Sequence, residues 1–438
     1  MTKNKAAIHN LGCKVNSYEA EAAAELLKAD GYEIVPFDSK ADVYIINTCS
    51  VTNIADRKSR QMLHKAKSMN PDAIVVAMGC YVQTGQKQLE TDKAVDIIIG
   101  NDQKKNICGI ISDYRNDKTN REHVENLTKR RAYEELSVNN PGEHIRGFMK
   151  VQDGCDQFCS YCIIPFARGR VRSRSIADAV KEAVNLSKVG CREVVLSGIH
   201  LSSYGRDLEE DATLLTLIKE IHRVEGIERI RLGSLEPGII TNEFASELSS
   251  LKKVCPHFHL SLQSGCDKTL KAMNRRYTAA EYKEKCKILR SYYDAPSITT
   301  DVITGFPGES DEDFEESYSF VNDISFFETH IFPFSVRRGT KAETMKNQLT
   351  EAIKKQRAAR LIYLNEKTHK MWLEKLIGQE IEVLIEEKQI IDGKNFWIGH
   401  TARYEKVAVL SMENIKNEIV KVKPNTMYKS ECLIADII

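Results

Sequence analysis

The sequence carries almost no net charge: 63 Lys and Arg stand against 62 Asp and Glu, a formal +1 at neutral pH. That balance excludes a globally basic nucleic-acid binder, so any RNA-facing surface has to be local. No apolar run reaches the roughly 18 residues of a membrane-spanning helix. The opening stretch, Met1-Thr-Lys-Asn-Lys-Ala-Ala-Ile-His9, has no apolar core of signal-peptide length. Twelve cysteines among 438 residues are too sparse for a disulfide scaffold. Without a secretion signal, the expectation is reduced thiols in the cytoplasm, free to bind metal. What remains is an ordinary globular composition, 42% hydrophobic and 29% charged. The length suggests about two to three domains.

The cysteines are not evenly spread. Cys155-Asp-Gln-Phe-Cys159-Ser-Tyr-Cys162 offers three thiolates where a closed structural zinc takes four ligands. On a 4Fe-4S cube, three thiolates leave one iron open, able to bind a small molecule through its amine and carboxylate. Asp153 and Gly154 provide a turn after a strand at Phe148-Met-Lys-Val151, and Phe158 and Tyr161 would wall the cluster. A zinc loop borrowing a distant ligand, or three core thiols, is the alternative reading of this segment.

A second pattern lies upstream. Strands are expected at Ala6–His9, Val43–Asn47, Ala73–Met78 and Val95–Ile99, interleaved with helices from Asn16 to Lys28 and Asn53 to Met69. Asn16-Ser-Tyr-Glu19 has capping-box spacing, and Gly31 ends the helix it opens. Such alternation gives a parallel α/β sheet. Cys13, Cys49 and Cys80 each fall just past the carboxyl end of a different strand, and those ends share one edge of an open parallel sheet. Three distant thiols would therefore converge as a second cluster site; coincidence plus core burial is the alternative.

Residues 1–115 thus form an N-terminal domain, and 116–146 a polar linker containing Lys129-Arg130-Arg131 and Asn139-Asn-Pro-Gly142. That triplet reads as a phosphate contact or a solvated face. From 147 to 374, strands at Phe148–Val151, Glu193–Ser197, Arg229–Gly233, His257–Gln263, Ile298–Thr304 and Glu328–Pro333 alternate with helices. Six such units make a partial (βα)6 barrel, with chemistry at the carboxyl ends of its strands. A helix runs from Thr350 to Leu376. Residues 375–438 then read as a small β-barrel, with strands at Glu380–Ile385, Asn395–His400, Lys406–Leu410, Ile419–Val422 and Met427–Ile434.

Strand-end residues Gly198, Ser234, Glu236 and Gln263 are candidate contacts for a sulfonium cofactor, and Asp301-Val-Ile-Thr-Gly305-Phe-Pro-Gly308-Glu309 offers glycines for backbone approach. Arg168-Gly-Arg170-Val-Arg172-Ser-Arg174 could hold a carboxylate or phosphate, or be an exposed loop. Cys108, Cys191, Cys255, Cys266, Cys286 and Cys432 share no spacing and read as core thiols. His200 and His257 read as packing or strand-end polar groups.

The C-x3-C-x2-C spacing is similar to that of the radical S-adenosylmethionine (SAM) superfamily. The whole chain resembles its methylthiotransferases through Leu11-Gly-Cys-Lys-Val-Asn-Ser-Tyr-Glu19, Ile46-Asn-Thr-Cys-Ser-Val-Thr-Asn53, Gly79-Cys80, Gly154–Pro165 and Arg168-Gly-Arg170. Gly-Cys-Lys-Val-Asn is closest to the MtaB type, which acts on N6-threonylcarbamoyladenosine beside the tRNA anticodon; the MiaB and RimO types usually differ there. The terminal barrel resembles a TRAM RNA-binding domain. The resemblance implies that Cys13, Cys49 and Cys80 hold an auxiliary 4Fe-4S cluster carrying sulfur, and Cys155, Cys159 and Cys162 a second that chelates SAM. It implies methylation of that sulfur by one SAM, and reductive cleavage of another to a radical that removes hydrogen from adenine C2. Glu309 falls one residue late against the superfamily form. A tRNA, an electron donor and a sulfur source are the implied partners, with no membrane. Isopentenyladenosine in tRNA and an aspartate on a ribosomal protein are the alternative substrates, and an iron–sulfur RNA-binding or sensor protein is the non-enzyme alternative. In the terminal barrel, Lys406, Lys421, Lys423 and Lys429 would supply charge and Trp397 and Tyr404 stacking surface, against Glu386 and Glu387; a plain covering domain is the other reading.

Overall fold

The computed structural model describes residues 4–127, 129, 131–140, 145–209 and 211–438. Arg130, Pro141 and Gly142, three of the residues noted above, lie outside them, as do the first three residues of the opening stretch.

Six parallel strands form the first sheet, in the order Glu33–Ile34, Lys5–Asn10, Val43–Thr48, Ile74–Gly79, Ile97–Ile99 and Glu122–His123. The central strands are apolar on both faces because helices cover both. Ile45, Val76 and Met78 pack with Leu27 and Ile111 on one side; Tyr44, Ile46 and Val75 pack with Leu63 and Leu89 on the other. The last strand comes from the segment expected as linker. Leu136 and Val138, farther along it, pack against Tyr18 and Ala22 of the first helix, and the Tyr18 hydroxyl donates to the Leu136 carbonyl at 2.6 Å. The segment's described residues around Leu136 and Val138 therefore strap across the first helix.

That helix spans Lys14–Ala29 with Cys13 at its N-cap and no side-chain cap, so the expected capping box does not form. Asn16 and Glu19 point inward instead, at 1% and 0% exposure, into a buried polar network.

Strands Arg146–Lys150, Glu193–Ser197 and Arg229–Leu232 form one parallel sheet, and His257–His259, Ser297–Thr304 and Glu328–Pro333 another. Parallel bridges Ile230–Val254 and Leu235–Leu260 join them into one six-unit partial barrel. The fourth strand stops at His259, short of the expected Gln263, although Leu260 and Gln263 still form isolated parallel bridges, Gln263 at φ +71°. Helices such as Ile176–Lys188 and Ala279–Tyr292 pack outside it on Leu196, Ile230, Phe258 and Ile298.

Helix Glu351–Glu374 leads to a closed five-stranded barrel. Its fourth strand runs to Tyr428 and its fifth is Cys432–Ile437, later than the expected Met427–Ile434. The turn between them uses Lys429 and Ser430 at φ +49° and +57°, a left-handed pair with no Asn-Gly signal in the sequence. Arg229 and Arg231 of the larger barrel donate to the His400, Thr401 and Ala402 carbonyls. Tyr404 stacks on His257 at 4.9 Å, so the small barrel closes the floor of the larger one.

Two cysteine trios joined by a buried arginine

Cys13, Cys49 and Cys80 follow three adjacent strands whose register aligns Asn10 with Asn47 and Asn47 with Met78. The three thiols consequently face one another at one sheet edge, each within charge–charge range of another. Polar side chains position them. Asn16 Oδ1 accepts from Cys13 Sγ at 3.4 Å, while Asn16 Nδ2 donates to the Thr48 carbonyl at 3.1 Å. Ser59 Oγ accepts from the Cys49 amide at 3.3 Å. Asn101 Nδ2 lies 3.7 Å from Cys80 Sγ and donates to the Ala167 carbonyl at 2.7 Å.

The second trio sits on the loop after the first barrel strand. Gly154 is required there: at φ +71° its added Cβ would fall 1.9 Å from the Arg170 carbonyl oxygen. The Cys155 amide donates to the Gly169 carbonyl at 3.0 Å. A distant segment pins the loop from the other side. The Ser160 amide donates to Met273, Asn274 to the Phe158 carbonyl, and Arg275 Nη1 lies 3.2 Å from Cys159 Sγ. Gly154→Ala is therefore expected to stop iron uptake by this trio while the first trio still loads, so that iron content falls by about half in the otherwise unchanged chain and to near zero in a Cys49→Ala background.

The trios fit iron cubes better than single ions. Two thiolates on one zinc, at Zn–S of about 2.3 Å, lie at most about 4.6 Å apart. Among the described residues, only His259, Asp301 and His330 bring three ligand atoms within 4.8 Å of one another. Neither trio closes that tightly, and every cysteine is unbridged. Burial pushes the Cys155 thiol up to about 11 and Cys162 up to about 12, and raises Cys13 and Cys49. Bare, these four are neutral thiols at pH 7, so metal binding must release their protons.

Arg168 connects the two trios. It ends the helix Ile164–Arg168 that begins two residues after Cys162, and it is fully buried. Its guanidinium donates to Glu19 at 2.8 Å, to Asp153 at 3.1 Å and to Asn16 Oδ1 at 3.0 Å, and it faces Cys80 and Cys13. Glu19 also pairs with Lys104 and Lys150, each at 2.7 Å. Burial alone would raise the Glu19 carboxyl, but these three cations outweigh it and hold it well below the usual carboxylate range. Arg172 pairs with Asp102 at 2.7 Å, and Arg174 pairs with Glu182. The arginine run is thus neither an exposed loop nor an open anion clamp. Arg170, with Asp156, is its one exposed member. Of the linker triplet, Arg131 is held by Asp102 and Glu125.

The cofactor candidates divide. Glu236 bridges His200 Nε2 and Arg275 Nη2, each at 3.0 Å, and faces Cys155. Gly198 presses on Gln152, where a Cβ would come within 2.9 Å; Gln152 in turn holds the Gly154 carbonyl and the His200 amide. Ser234 is exposed, and Gln263 bridges the Asp301 carbonyl and the Ile303 amide through its own backbone. Glu309 is engaged by the Gly305 amide at 2.7 Å and by Arg357 at 2.5 Å. Arg275, Asn16 and Asn101 escaped sequence reasoning. Arg275 lies 116 residues from Cys159 and shares no motif with it.

In the small barrel, Trp397 is 4% exposed, and its Nε1 donates to the Glu413 carbonyl. Tyr404 is sandwiched between His257 and His400. Neither offers a stacking face. Glu386 pairs with Arg146 and His400, holding the barrels together. Lys421, Lys423 and Lys429 are exposed.

Residues 5–100 match the family described as "Uncharacterized protein family UPF0004", and residues 149–321 the radical SAM superfamily. The chain is 40% identical over 419 residues to the threonylcarbamoyladenosine tRNA methylthiotransferase MtaB of Bacillus subtilis, covering 95% of this chain and 93% of that one. It is 34% identical over 426 residues to a tRNA-2-methylthio-N(6)-dimethylallyladenosine synthase of Moorella thermoacetica, covering 94% of each. Among solved structures, the fold is similar to the radical SAM methyltransferase TsrM of Kitasatospora setae, at TM-score 0.56 and 16% identity over 76% of this chain and 73% of that one. It is also similar to the cobalamin-dependent radical SAM enzyme OxsB, at TM-score 0.51 and 11% identity over 92% and 64% of the two chains.

Proposed function

Since this chain belongs to the MtaB-type methylthiotransferase family of radical SAM enzymes, we propose that it converts N6-threonylcarbamoyladenosine in tRNA to its 2-methylthio derivative. Bound at the trios, two 4Fe-4S clusters would supply a site for sulfur and a site that chelates and reduces SAM, whose radical chemistry can reach an unactivated adenine C–H. Cys13, Cys49 and Cys80 would hold the first, and Cys155, Cys159 and Cys162 the second.

The protein's own residues do the positioning. Arg168, Glu19, Asp153 and Asn16 fix the trios against each other, so sulfur and SAM are presented at a set separation. Gly198, Ser234, Glu236 and Gln263 are proposed to line the SAM site, with Glu236 held ready by His200 and Arg275. Burial would raise the Glu236 carboxyl, but His200 and Arg275 outweigh it and keep it low, ionised for an ammonium. An electron donor and a sulfur source complete the reaction. Among the described residues no helix is long and apolar enough to cross a membrane, and the cytoplasm is the proposed location.

The observation that carries this reading is the joining of two open trios through one buried arginine. Nucleoside mass spectrometry after anaerobic incubation with reductant, SAM and tRNA tests it: 2-methylthio-threonylcarbamoyladenosine is expected. Product on dimethylallyladenosine alone, or none with either, would overturn it.

The small barrel is proposed to add affinity for the tRNA backbone through Lys421, Lys423 and Lys429. Reversing Lys421 and Lys423 to Glu is expected to weaken tRNA binding and to lower the slope of log K against log salt by about 1–2. An unchanged slope would leave this barrel as a floor only.

A further inference from the structure

Outside the two trios, one group of side chains brings metal-binding atoms together without any cysteine. His259, Asp301 and His330 each offer one ligand atom, and these atoms lie within 4.8 Å of one another. The sheet fixes this arrangement. His259 is in register with Thr299 on the neighbouring strand, two residues before Asp301, and Asp301 is in register with His330 on the next. Side chains two apart on a strand share a face. The alternate residues Phe258, Ile298, Val302 and Ile331 pack outward with Leu289 and Val321 of the covering helices. His259, Thr299, Asp301 and His330 therefore turn to the inner face of the barrel.

Hydrogen bonding decides what that face can hold. Thr299 Oγ1 lies 3.0 Å from His259 Nδ1 and 3.5 Å from His257 Nε2, between two imidazoles. A hydroxyl has one proton to give. Donating it to His257, Thr299 accepts from His259 Nδ1–H, and His259 Nε2 is left with a lone pair. That nitrogen is buried without a hydrogen-bond partner, although Asp301 Oδ2 stands 3.3 Å away. A proton on Nε2 would answer the charge, yet the ring does not aim it at the oxygen well enough for a hydrogen bond. A buried lone pair facing a carboxylate is costly unless a cation sits between them.

Carboxylates face both imidazoles: Asp301 stands beside His259, and Glu328 Oε1 lies 3.8 Å from His330 Nδ1. Among the described residues, no lysine or arginine pairs with either carboxylate. With neutral imidazoles the group carries two negative charges, which one divalent cation balances. The spacing suits an ion of the zinc class. Around a tetrahedral zinc, with bonds of about 2.0–2.2 Å to nitrogen and oxygen, neighbouring ligand atoms lie about 3.3–3.5 Å apart. His259 Nε2 and Asp301 Oδ2 already stand at 3.3 Å. The His330 side chain is 44% exposed, so its ring can rotate to close the remaining gap, and it gives an ion a path from solvent. Two imidazoles and a carboxylate favour a borderline divalent ion, such as zinc or ferrous iron, over magnesium or calcium.

We propose that His259, Asp301 and His330 bind one divalent transition-metal ion on the inner face of the larger barrel, apart from both cysteine trios. Thr299 orients His259 for it. Three protein ligands leave a coordination position open toward the lumen, the pattern of a site that engages a further ligand and not of a closed structural one. The inference does not depend on which nucleoside is modified.

The test is zinc uptake by the cluster-loaded full-length protein, dialysed anaerobically against micromolar Zn2+ and assayed for zinc and iron together. Wild type is expected to retain about one zinc per chain with its iron unchanged. X-ray absorption at the zinc edge should show nitrogen and oxygen neighbours at about 2.0–2.1 Å and no sulfur shell at about 2.3 Å. Asp301→Asn, and His330→Ala at the exposed end, should each lose most of that zinc at equal iron content. Thr299→Val keeps all three ligands and should weaken zinc affinity about 10-fold; unaltered affinity would overturn its orienting role. A wild type that takes up no zinc, or a His330→Ala variant that retains as much as wild type, overturns the inference. So does a zinc–sulfur shell, which would assign the ion to a cysteine trio.

Discussion

Cys49→Ala is expected to abolish methylthio product, by at least about 1,000-fold, while reduced enzyme still cleaves SAM. The split follows from geometry. Cys49 belongs to the trio at the sheet edge, and Ser59 and the strand Val43–Thr48 hold it there. The loop of Cys155, Cys159 and Cys162 is fixed by different partners, Gly169, Met273 and Arg275. Removing one thiol from the first trio leaves the second intact, so 5′-deoxyadenosine release should persist without sulfur insertion. Cys159→Ala should stop both. Liquid chromatography of 5′-deoxyadenosine beside nucleoside mass spectrometry reads the two outcomes together. If Cys49→Ala loses SAM cleavage as completely as product, the trios are not separate sites.

The second large effect is on stability. Glu19→Ala would leave Lys104, Lys150 and Arg168 buried without their shared carboxylate, all at 0% exposure. Breaking a buried pair in this way costs about 3–5 kcal/mol. Glu315→Ala removes a carboxylate from the exposed pair with Arg360 and should cost about 0–1 kcal/mol. Denaturant melts of the two variants, compared at one pH, give the contrast. The depressed Glu19 carboxyl contributes stability above its unfolded pKa of about 4.3, and loses it only as pH falls toward its much lower folded value. The gap between wild type and Glu19→Gln should accordingly be flat from pH 6 to 8 and narrow only below about pH 4. A gap that widened under acid would contradict the assignment of charge.

How much of this was legible in the sequence depended on how local the signal was. The spacing of Cys155, Cys159 and Cys162, and the position of Cys13, Cys49 and Cys80 after apolar runs, depend on neighbours in the chain. In the structure Cys13, Cys49 and Cys80 follow adjacent strands of one sheet, and Cys155, Cys159 and Cys162 lie on the loop after the first barrel strand. The alternating strands and helices were legible for the same reason. Asn16 and Glu19 misled because a capping box is also local, whereas their partners lie 31 to 152 residues away. The arginine run read as solvent or ligand-facing because no sequence pattern pairs Arg168 with Glu19 or Arg174 with Glu182. Trp397 and Tyr404 looked available for stacking until the packing of one barrel under another covered them. Arg275 had no motif at all; only the approach of the 272–275 turn to Cys159 reveals it.

The account stands on two separate trios that each carry an iron cube. Mössbauer spectroscopy with iron and sulfide analysis on the anaerobically reconstituted wild type, and on a variant with Cys155, Cys159 and Cys162 all changed to Ala, tests this most directly. The wild type should show two 4Fe-4S clusters per chain, and the variant should retain one, with about half the iron. A wild type that saturates at one cluster, or a triple variant that binds none, would contradict it.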